Sequence, residues 1–333
     1  MKVKFMSSGF SKEMRLLTNQ GYIRFEDAVG NVQIVKPDGS LSKGRVWRSG
    51  NKITYSVNIA DGRRIRSTSD HVYRTNDSDE CQAIALKKRR LMPFTACVYP
   101  IDKEYLQLGF LQKTGDFITL LDEDWLSLNT ESEDPTFRKL FKADNLPLGG
   151  KDVFLRGYNK KLIELGFKRS SYNQKELPDG FFDSWSLCKK RSFIRGYTSA
   201  CSWPYTSPFI VLSTHSDVLA TQLSLCLDEC FGVHLEIEKG DIFTDILDGE
   251  VRAIRLYSIN MCGHQDCHKF MEEIGFESSI HIQKVSEMLI KHSPLVADIS
   301  NAETVDVYDF SEPEENRGVV EGFVVHDCRS CNL

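Results

Sequence analysis

Two short clusters in this 333-residue sequence set nucleophiles beside proton-transfer groups. Thr68-Ser69-Asp70-His71 places a hydroxyl three residues before an imidazole, and Val324-Val325-His326-Asp327-Cys328 lines up an imidazole, a carboxyl and a thiol. A thiol such as Cys328 attacks as the thiolate, and with a pKa near 8.5 only about 3% is ionised at neutral pH without help. Thr-x-x-His alone recurs by chance, so its weight comes from its company. Cys262-Gly263-His264-Gln265-Asp266-Cys267-His268 has the ligand types that zinc takes. Its spacing is not that of a zinc knuckle and no second pair lies nearby. Buried thiols and exposed imidazoles at a helix start are therefore expected there, with no metal. Cys328 and Cys331 form a Cys-x-x-Cys pair able to bind metal or do redox work. Cys226 and Cys230, four apart, read as core, and His215, His234, His281 and His292 stand alone with no assigned role.

The elements that must position these groups change character along the chain. From about Leu16 to Val98 short β-branched and aromatic runs, such as Gly21–Phe25 and Ile53–Val57, read as strands. Lys36-Pro37-Asp38-Gly39, Ser49-Gly50-Asn51 and Ala60-Asp61-Gly62 read as turns between them. In the middle, Lys103 to Leu111 reads as a helix running into Thr114-Gly115. Asp217 to Phe231 and His264 to Ile274 read as helices stopped by Gly232 and Gly275. Strand-like runs, Phe209–Leu212 and Ala253–Tyr257, lie between them. β character returns after Pro294, in Val305–Phe310 and Gly322–Val325, separated by the polar loop Ser311 to Arg317. The order β, then α+β, then β is that of one domain inserted into a loop of another.

The length suffices for two domains with separate cores. A net charge of -5 gives no global electrostatic reason to bind nucleic acid or an anionic membrane. No apolar run is long enough to span a bilayer, and MKVKFMSSGF lacks the apolar core of a signal peptide. A cytoplasmic protein is expected, with its ten cysteines as reduced thiols.

Three stretches, in order, resemble the intein family of protein-splicing elements. Phe10-Ser11-Lys12-Glu13-Met14-Arg15-Leu16-Leu17-Thr18-Asn19-Gln20-Gly21 resembles the N-terminal block, in which a nucleophilic cysteine precedes the aromatic residue and a Thr-x-x-Gly turn follows. Thr68-Ser69-Asp70-His71 resembles the Thr-x-x-His block. Val307-Tyr308-Asp309-Phe310 and Gly318 to Cys328 resemble the two C-terminal blocks, which end in His-Asn before a host cysteine. The resemblance runs from about Gly9 to Cys328. It implies that His71 assists the scissile amide, oriented by Thr68, that Asp309 positions the thiols, and that Cys328 takes over the acyl group. It further implies that a terminal asparagine cyclises with help from His326. Two positions depart. Gly9 stands where the family has its first cysteine, with Ser8 one residue upstream. Asp327 stands where the family has asparagine, and a carboxylate lacks the amide nitrogen that closes a succinimide. The family's block histidine is also missing near Asn316. Both end reactions are expected to be impaired, leaving a splicing-arrested precursor.

In the middle, Leu108 to Gly115 and Phe193 to Ser202 resemble the paired LAGLIDADG motifs of homing endonucleases, whose helices meet at small residues, here Gly109 and Gly196. Val211–Asp217 fits the same fold. That family holds Mg²⁺ with a carboxylate near each helix end. Thr114 and Cys201 occupy those places, so cleavage is expected to be lost, and Asp116 reads as a displaced exposed acid. The basic segment from Lys151 to Arg195, with Lys160-Lys161, Lys168-Arg169 and Lys189-Lys190-Arg191, is either solvated surface or a remnant DNA face. The second motif and the stretches Glu312-Pro313 and Gly318 to Gly322 are similar to those of inteins in ribonucleotide reductases.

The resemblance implies a mainly β, horseshoe-like Hint domain over 9–100 and 295–327, interrupted by an α+β LAGLIDADG-like domain over 101–294, with host flanks 1–8 and 328–333. It implies splicing in cis with no cofactor, Mg²⁺ being needed only by an active endonuclease, and the chain's own flanks as partners. A monomer without membrane association is expected. Action on double-stranded DNA, or weak binding to it, is the alternative. One-ended autoprocessing of the hedgehog kind is disfavoured by the Val-Val-His-Asp-Cys ending.

Overall fold

The computed structural model describes residues 8–77, 79–120, 123–129, 135–141, 152–156, 162–167, 174–201, 210–247 and 250–327. The chain divides into two compact units, Met1–Tyr99 with Ser286–Leu333, and Pro100–Val285. The fold is thus mainly β at both ends of the sequence with an α+β unit between them.

In the first unit the strands are β1 (Phe10–Ser11), β2 (Arg15–Thr18), β3 (Gly21–Arg24), β4 (Gly30–Val35), β5 (Leu41–Ile59), β6 (Arg64–Ser67), β7 (Val72–Arg74) and β8 (Glu80–Gln82). The returning chain adds β15 (Val296–Ser311), β16 (Arg317–Val320) and β17 (Phe323–His326). Among the described residues these eleven strands form one sheet in the order β15-β1-β6-β5-β4-β2-β16-β17-β7-β8, with β3 beside β2. Every pairing is antiparallel. The two long strands, β5 and β15, run together from Val296↔Ile59 to Ser311↔Arg45, with register shifts that let them bend.

Local chemistry sets the tight turns. Thr18 Oγ1 donates to the Gly21 carbonyl at 2.9 Å and accepts from the Gln20 N–H at 3.2 Å, while Gly21 takes φ +91°, which a side chain would oppose. The β16–β17 hairpin closes on Glu321-Gly322, both at positive φ, the pattern of a two-residue primed turn. That turn fixes the register that sets Arg317 opposite His326. Phe10, Phe25, Tyr73, Phe310 and Phe323 are all fully buried in one cluster, with Val57, Ile65 and Val325. Each such side chain contributes about 1.5–3 kcal/mol by leaving water. The core therefore includes the residues flanking both clusters described above.

In the second unit, α1 (Lys103–Thr114), α2 (Pro135–Phe141), α3 (Leu187–Ser199), α4 (Asp217–Phe231) and α5 (His264–Glu273) accompany two three-stranded sheets. One sheet is β9 (Gly115–Leu120), β10 (Glu123–Asn129) and β11 (Asp152–Arg156). The other is β12 (Val211–Thr214), β13 (Leu235–Leu247) and β14 (Glu250–Met261). α4 begins at the Ser216 cap and stops at Gly232 in the left-handed conformation, as its sequence dictates. A further helix, α6 (Ser279–Lys291), begins in this unit and ends in the first; Val285 and Leu289 on it are buried, and it has no counterpart among the helices expected from the sequence.

Candidate functional site

Gly9 and Thr68 are 59 residues apart and exchange two hydrogen bonds. The Gly9 N–H donates to Thr68 Oγ1 at 3.1 Å, and the Thr68 N–H donates to the Gly9 carbonyl at 2.9 Å. The strand order produces this. β1 is sandwiched between β6 and β15, with Phe10 opposite Ser67 on one side and Tyr308 on the other. The residue just before β1 therefore meets the residue just after β6. Ser8, Gly9 and Thr68 are all buried, so the nitrogen of the Ser8–Gly9 peptide bond lies in a water-poor place with a single hydroxyl accepting from it.

His71 sits one turn on, its N–H donating to the Thr68 carbonyl at 3.2 Å. Its ring lies against Phe10, centroids 4.1 Å apart, and against Tyr73 at 5.4 Å. Neither ring nitrogen has a hydrogen-bond partner among the described residues. Burial, then repulsion from His326, pushes the His71 pKa down to about 3, so the ring is neutral at any physiological pH. Leaving a buried imidazole unpaired costs about 1–3 kcal/mol, and such groups concentrate where a fold keeps a polar group for chemistry.

His326 reaches the same region as the last residue of β17, which pairs with β7 through Val325↔Tyr73, and Asp327 follows it. His326 Nε2 lies 2.9 Å from Glu80 Oε1. Asp327 is fully buried and held at both ends: its N–H donates to the Asn316 carbonyl at 2.9 Å, and its Oδ2 accepts from the Glu312 N–H at 2.8 Å. The Glu312 carboxylate shapes that turn by accepting from the N–H groups of Glu314 and Glu315, at 2.8 and 2.7 Å. Burial pushes the Glu312 carboxyl up, but the nearby Ser42 hydroxyl and hydrogen bonds from the turn's backbone amides pull it below the ordinary range. Asp309, also fully buried, takes the Phe310 N–H on Oδ1 at 2.8 Å. Its place on β15 follows Tyr308, whose carbonyl faces Gly9. A Cβ built on Gly9 would stand 2.4 Å from that carbonyl oxygen and 2.6 Å from Val307 Cγ1.

The first unit thus gathers Gly9, Thr68, His71 and Asp309 around one β-sheet junction, with His326 at the end of β17 and Asp327 after it. Cys328 and Cys331 lie outside the described residues. Glu80 was not marked by the sequence, because its role depends on partners far along the chain, Arg317 and His326.

In the second unit α1 and α3 pack across a local two-fold relationship. A Cβ on Gly109 would meet the Phe193 carbonyl at 1.8 Å and the Tyr197 nitrogen at 2.9 Å, and one on Gly196 would meet the Leu106 carbonyl at 1.9 Å and the Phe110 nitrogen at 3.0 Å. Thr114 is the last residue of α1 and Cys201 lies two residues past α3, and the two side chains bond back in equivalent ways. Thr114 Oγ1 donates back to the Phe110 carbonyl at 2.9 Å, and Cys201 Sγ to the Tyr197 carbonyl at 3.5 Å. Burial raises the Cys201 thiol above its ordinary range and keeps it neutral. Neither position offers a hard anionic oxygen for Mg²⁺. The Asp116 side chain lies outside the described residues.

The structure corrects two expectations. Lys190 and Arg191 are buried rather than solvated, Lys190 donating to the Phe182 carbonyl at 2.7 Å and Arg191 pairing with Glu273 at 2.9 Å. They stabilise the unit's interior and offer nothing to a phosphate backbone. Lys160-Lys161 and Lys168-Arg169 lie outside the described residues. In the Cys262–His268 run, Cys262 is exposed and His268 buried, because α5 turns Cys267, His268 and Phe270 inward. Among the described residues no three His, Cys, Asp or Glu side chains group as a metal would require, and no helix is long and apolar enough to cross a membrane.

No protein-family model matches the chain, and no curated protein matches it in sequence. Among solved structures it is similar to a DnaB intein from Synechocystis sp. PCC 6803, at 9% identity and TM-score 0.30, covering 96% of this chain and 99% of that one. It is similar to the gp41-1 intein at 14% identity and TM-score 0.24, over 26% of this chain and 70% of that one. It is also similar to I-DmoI, solved in complex with DNA and Mn, at 16% identity and TM-score 0.33, over 52% of this chain and 98% of that one. All three likenesses are distant.

Proposed function

We propose that the chain is an intein whose two end reactions are arrested by Gly9 and Asp327, with a LAGLIDADG-like unit inserted in its splicing domain. The observation that carries this reading is the reciprocal Gly9–Thr68 pair beside a neutral, unpartnered His71. A splicing domain must hold the nitrogen of its first peptide bond next to a proton donor, and must bring its last residues to the same place. Thr68 does the first, orienting the Ser8–Gly9 amide, and His71 supplies a neutral imidazole able to hydrogen-bond the scissile amide. β17 does the second, setting His326 at its end beside β7 with Asp327 next in the chain.

Arrest follows from the chemistry at both ends. Gly9 has no side chain to attack the Ser8 carbonyl, and the Tyr308 carbonyl fills the space in which one would stand. At the other end an asparagine would attack with Nδ2 on its own carbonyl carbon. The bond to the Cys328 nitrogen would break, that amine would leave with a proton, and a succinimide would remain. Asp327 has oxygen in place of that nitrogen, and the anhydride it would form is strained and slow. The Glu312 N–H that now holds Asp327 Oδ2 suits the side-chain oxygen of asparagine equally well, leaving Nδ2 to attack.

The test is the single variant Asp327→Asn, followed by mass spectrometry. Loss of the segment after residue 327 at a pH-dependent rate is expected, and an uncut Asp327→Asn chain would overturn the proposal. The double variant with Gly9→Cys tests the first end by a ligated product on a gel.

A second reading, action on double-stranded DNA, has one feature in its favour: the close glycine crossing of α1 and α3. Thr114 and Cys201 argue for loss of cleavage. Supercoiled plasmid incubated with the chain and Mg²⁺ should stay intact, and nicking or linearisation would reverse this view.

A further inference from the structure

His326 is buried at the meeting of three strands, and the only carboxylate oxygen within 4 Å of it among the described ion pairs comes from Glu80. Glu80 opens β8, opposite Arg74 on β7, and β7 pairs with the strand that ends in His326. From the other side Arg317, opposite His326 in the hairpin, brings its guanidinium to 3.6 Å from the same Glu80 oxygen. Glu80 Oε1 is therefore shared between a permanent cation and an imidazole. The Glu80 side chain is 53% exposed and that of His326 5%, so the acid reaches in from the surface to a ring that has left water.

An imidazole with a carboxylate at one nitrogen carries its proton there, which leaves the opposite nitrogen as the base. We infer that Glu80 is a positioning residue for the C-terminal step: its carboxylate keeps the proton of His326 on Nε2, so that Nδ1 is the basic nitrogen. This rests on the proposed splicing reading and adds a residue to it. The separation of 2.9 Å is of hydrogen-bond length, although the ring N–H is not in line with the oxygen. Nδ1, like Nε2, makes no hydrogen bond among the described residues, so it is the nearness of the Glu80 charge to Nε2 that distinguishes the two nitrogens. The groups facing the ring oppose one another. Burial lowers its pKa most, Glu80 and Asp327 raise it, and Arg317 and Arg74 lower it. His71 faces it from the turn before β7. Of the two carboxylates, Glu80 acts more strongly.

The test is Glu80→Gln, which keeps the shape and removes the charge, read by two measurements. Imidazole NMR of the full chain should show the His326 titration midpoint falling by at least about half a pH unit, with the Nε2–H preference lost. In an Asp327→Asn chain, Glu80→Gln should shift the pH profile of cleavage to lower pH and slow it near neutrality on the order of ten-fold. An unchanged His326 midpoint and tautomer in Glu80→Gln would overturn the inference, whatever the cleavage rate. If Asp327→Asn does not cleave at all while the NMR shift appears, the splicing reading fails and the Glu80–His326 pairing stands. Arg317→Gln provides a second variant on the same oxygen, and it should move the His326 midpoint the opposite way, upward.

Discussion

Thr68 holds Gly9 from two directions, with its hydroxyl on the Gly9 N–H and its own N–H on the Gly9 carbonyl. The pair ties the start of one strand to the end of another across 59 residues of sequence. Both groups are buried, so neither bond can be exchanged for one to water.

Replacing Thr68 by valine keeps the shape and removes the acceptor. The Gly9 N–H is then left buried and unpaired, at a cost of about 1–3 kcal/mol. Hydrogen exchange at the Gly9 amide should accelerate in Thr68→Val, and the chain should unfold at lower urea. An unchanged exchange rate would mean that the hydroxyl is not the acceptor.

Gly9 is a harder position to substitute than its chemistry suggests. In Gly9→Ala and Gly9→Cys the new Cβ meets the Tyr308 carbonyl oxygen at 2.4 Å, a backbone atom that cannot rotate away. Each variant should lose about 1–3 kcal/mol, to a similar extent, because the clash begins at Cβ. Val307→Ala removes the second obstacle, at 2.6 Å, and should recover only part of the loss. Melting temperatures of the three chains decide this, and a Gly9→Ala chain as stable as the parent would show that the strand gives way freely.

His71 makes stability depend on pH. Its ordinary pKa is 6.5 and its folded value about 3, so below pH 6.5 the unfolded chain takes up a proton that the folded chain refuses. The contribution is complete above pH 6.5 and is lost as pH falls, by up to about 1.4 kcal/mol per pH unit. His71→Gln removes the group. Between pH 7 and 4.5 its melting temperature should fall less steeply than that of the parent. Equal slopes would count against a buried neutral imidazole.

Gly109 and Gly196 permit the helix crossing in the second unit. A single Cβ at either would stand within 2 Å of a backbone carbonyl, at 1.8 or 1.9 Å, so the helices must separate. Gly109→Ala and Gly196→Ala should each destabilise that unit by about 3 kcal/mol or more. Limited proteolysis within residues 100–285 reads this out. A protease-resistant Gly196→Ala unit would contradict the close packing.

Much of the architecture is local and was open to reading along the chain. α4 carries its own start at Ser216 and its own stop at Gly232, and the Thr18–Gly21 turn is closed by a threonine hydroxyl three residues from its glycine. α6 escaped because its buried residues, Val285 and Leu289, give only a short apolar period. Lys190 and Arg191 misled because a cationic pair in sequence carries no sign of the Phe182 carbonyl and Glu273 that bury it.

What the amino-acid order determined by itself is the kind of chemistry on offer: which positions carry an imidazole, a hydroxyl or a carboxyl, and that Gly9 and Asp327 lack what neighbouring groups would need. Only the tertiary structure decided that Thr68 grips Gly9, that His71 is left unpaired, and that Glu80 rather than a nearer acid reaches His326. The reason is physical. Turns and helix caps close within a few residues, whereas a hydrogen bond between strands depends on which strands become neighbours. That choice is made by burying apolar side chains over the whole sheet, and no local spacing records it.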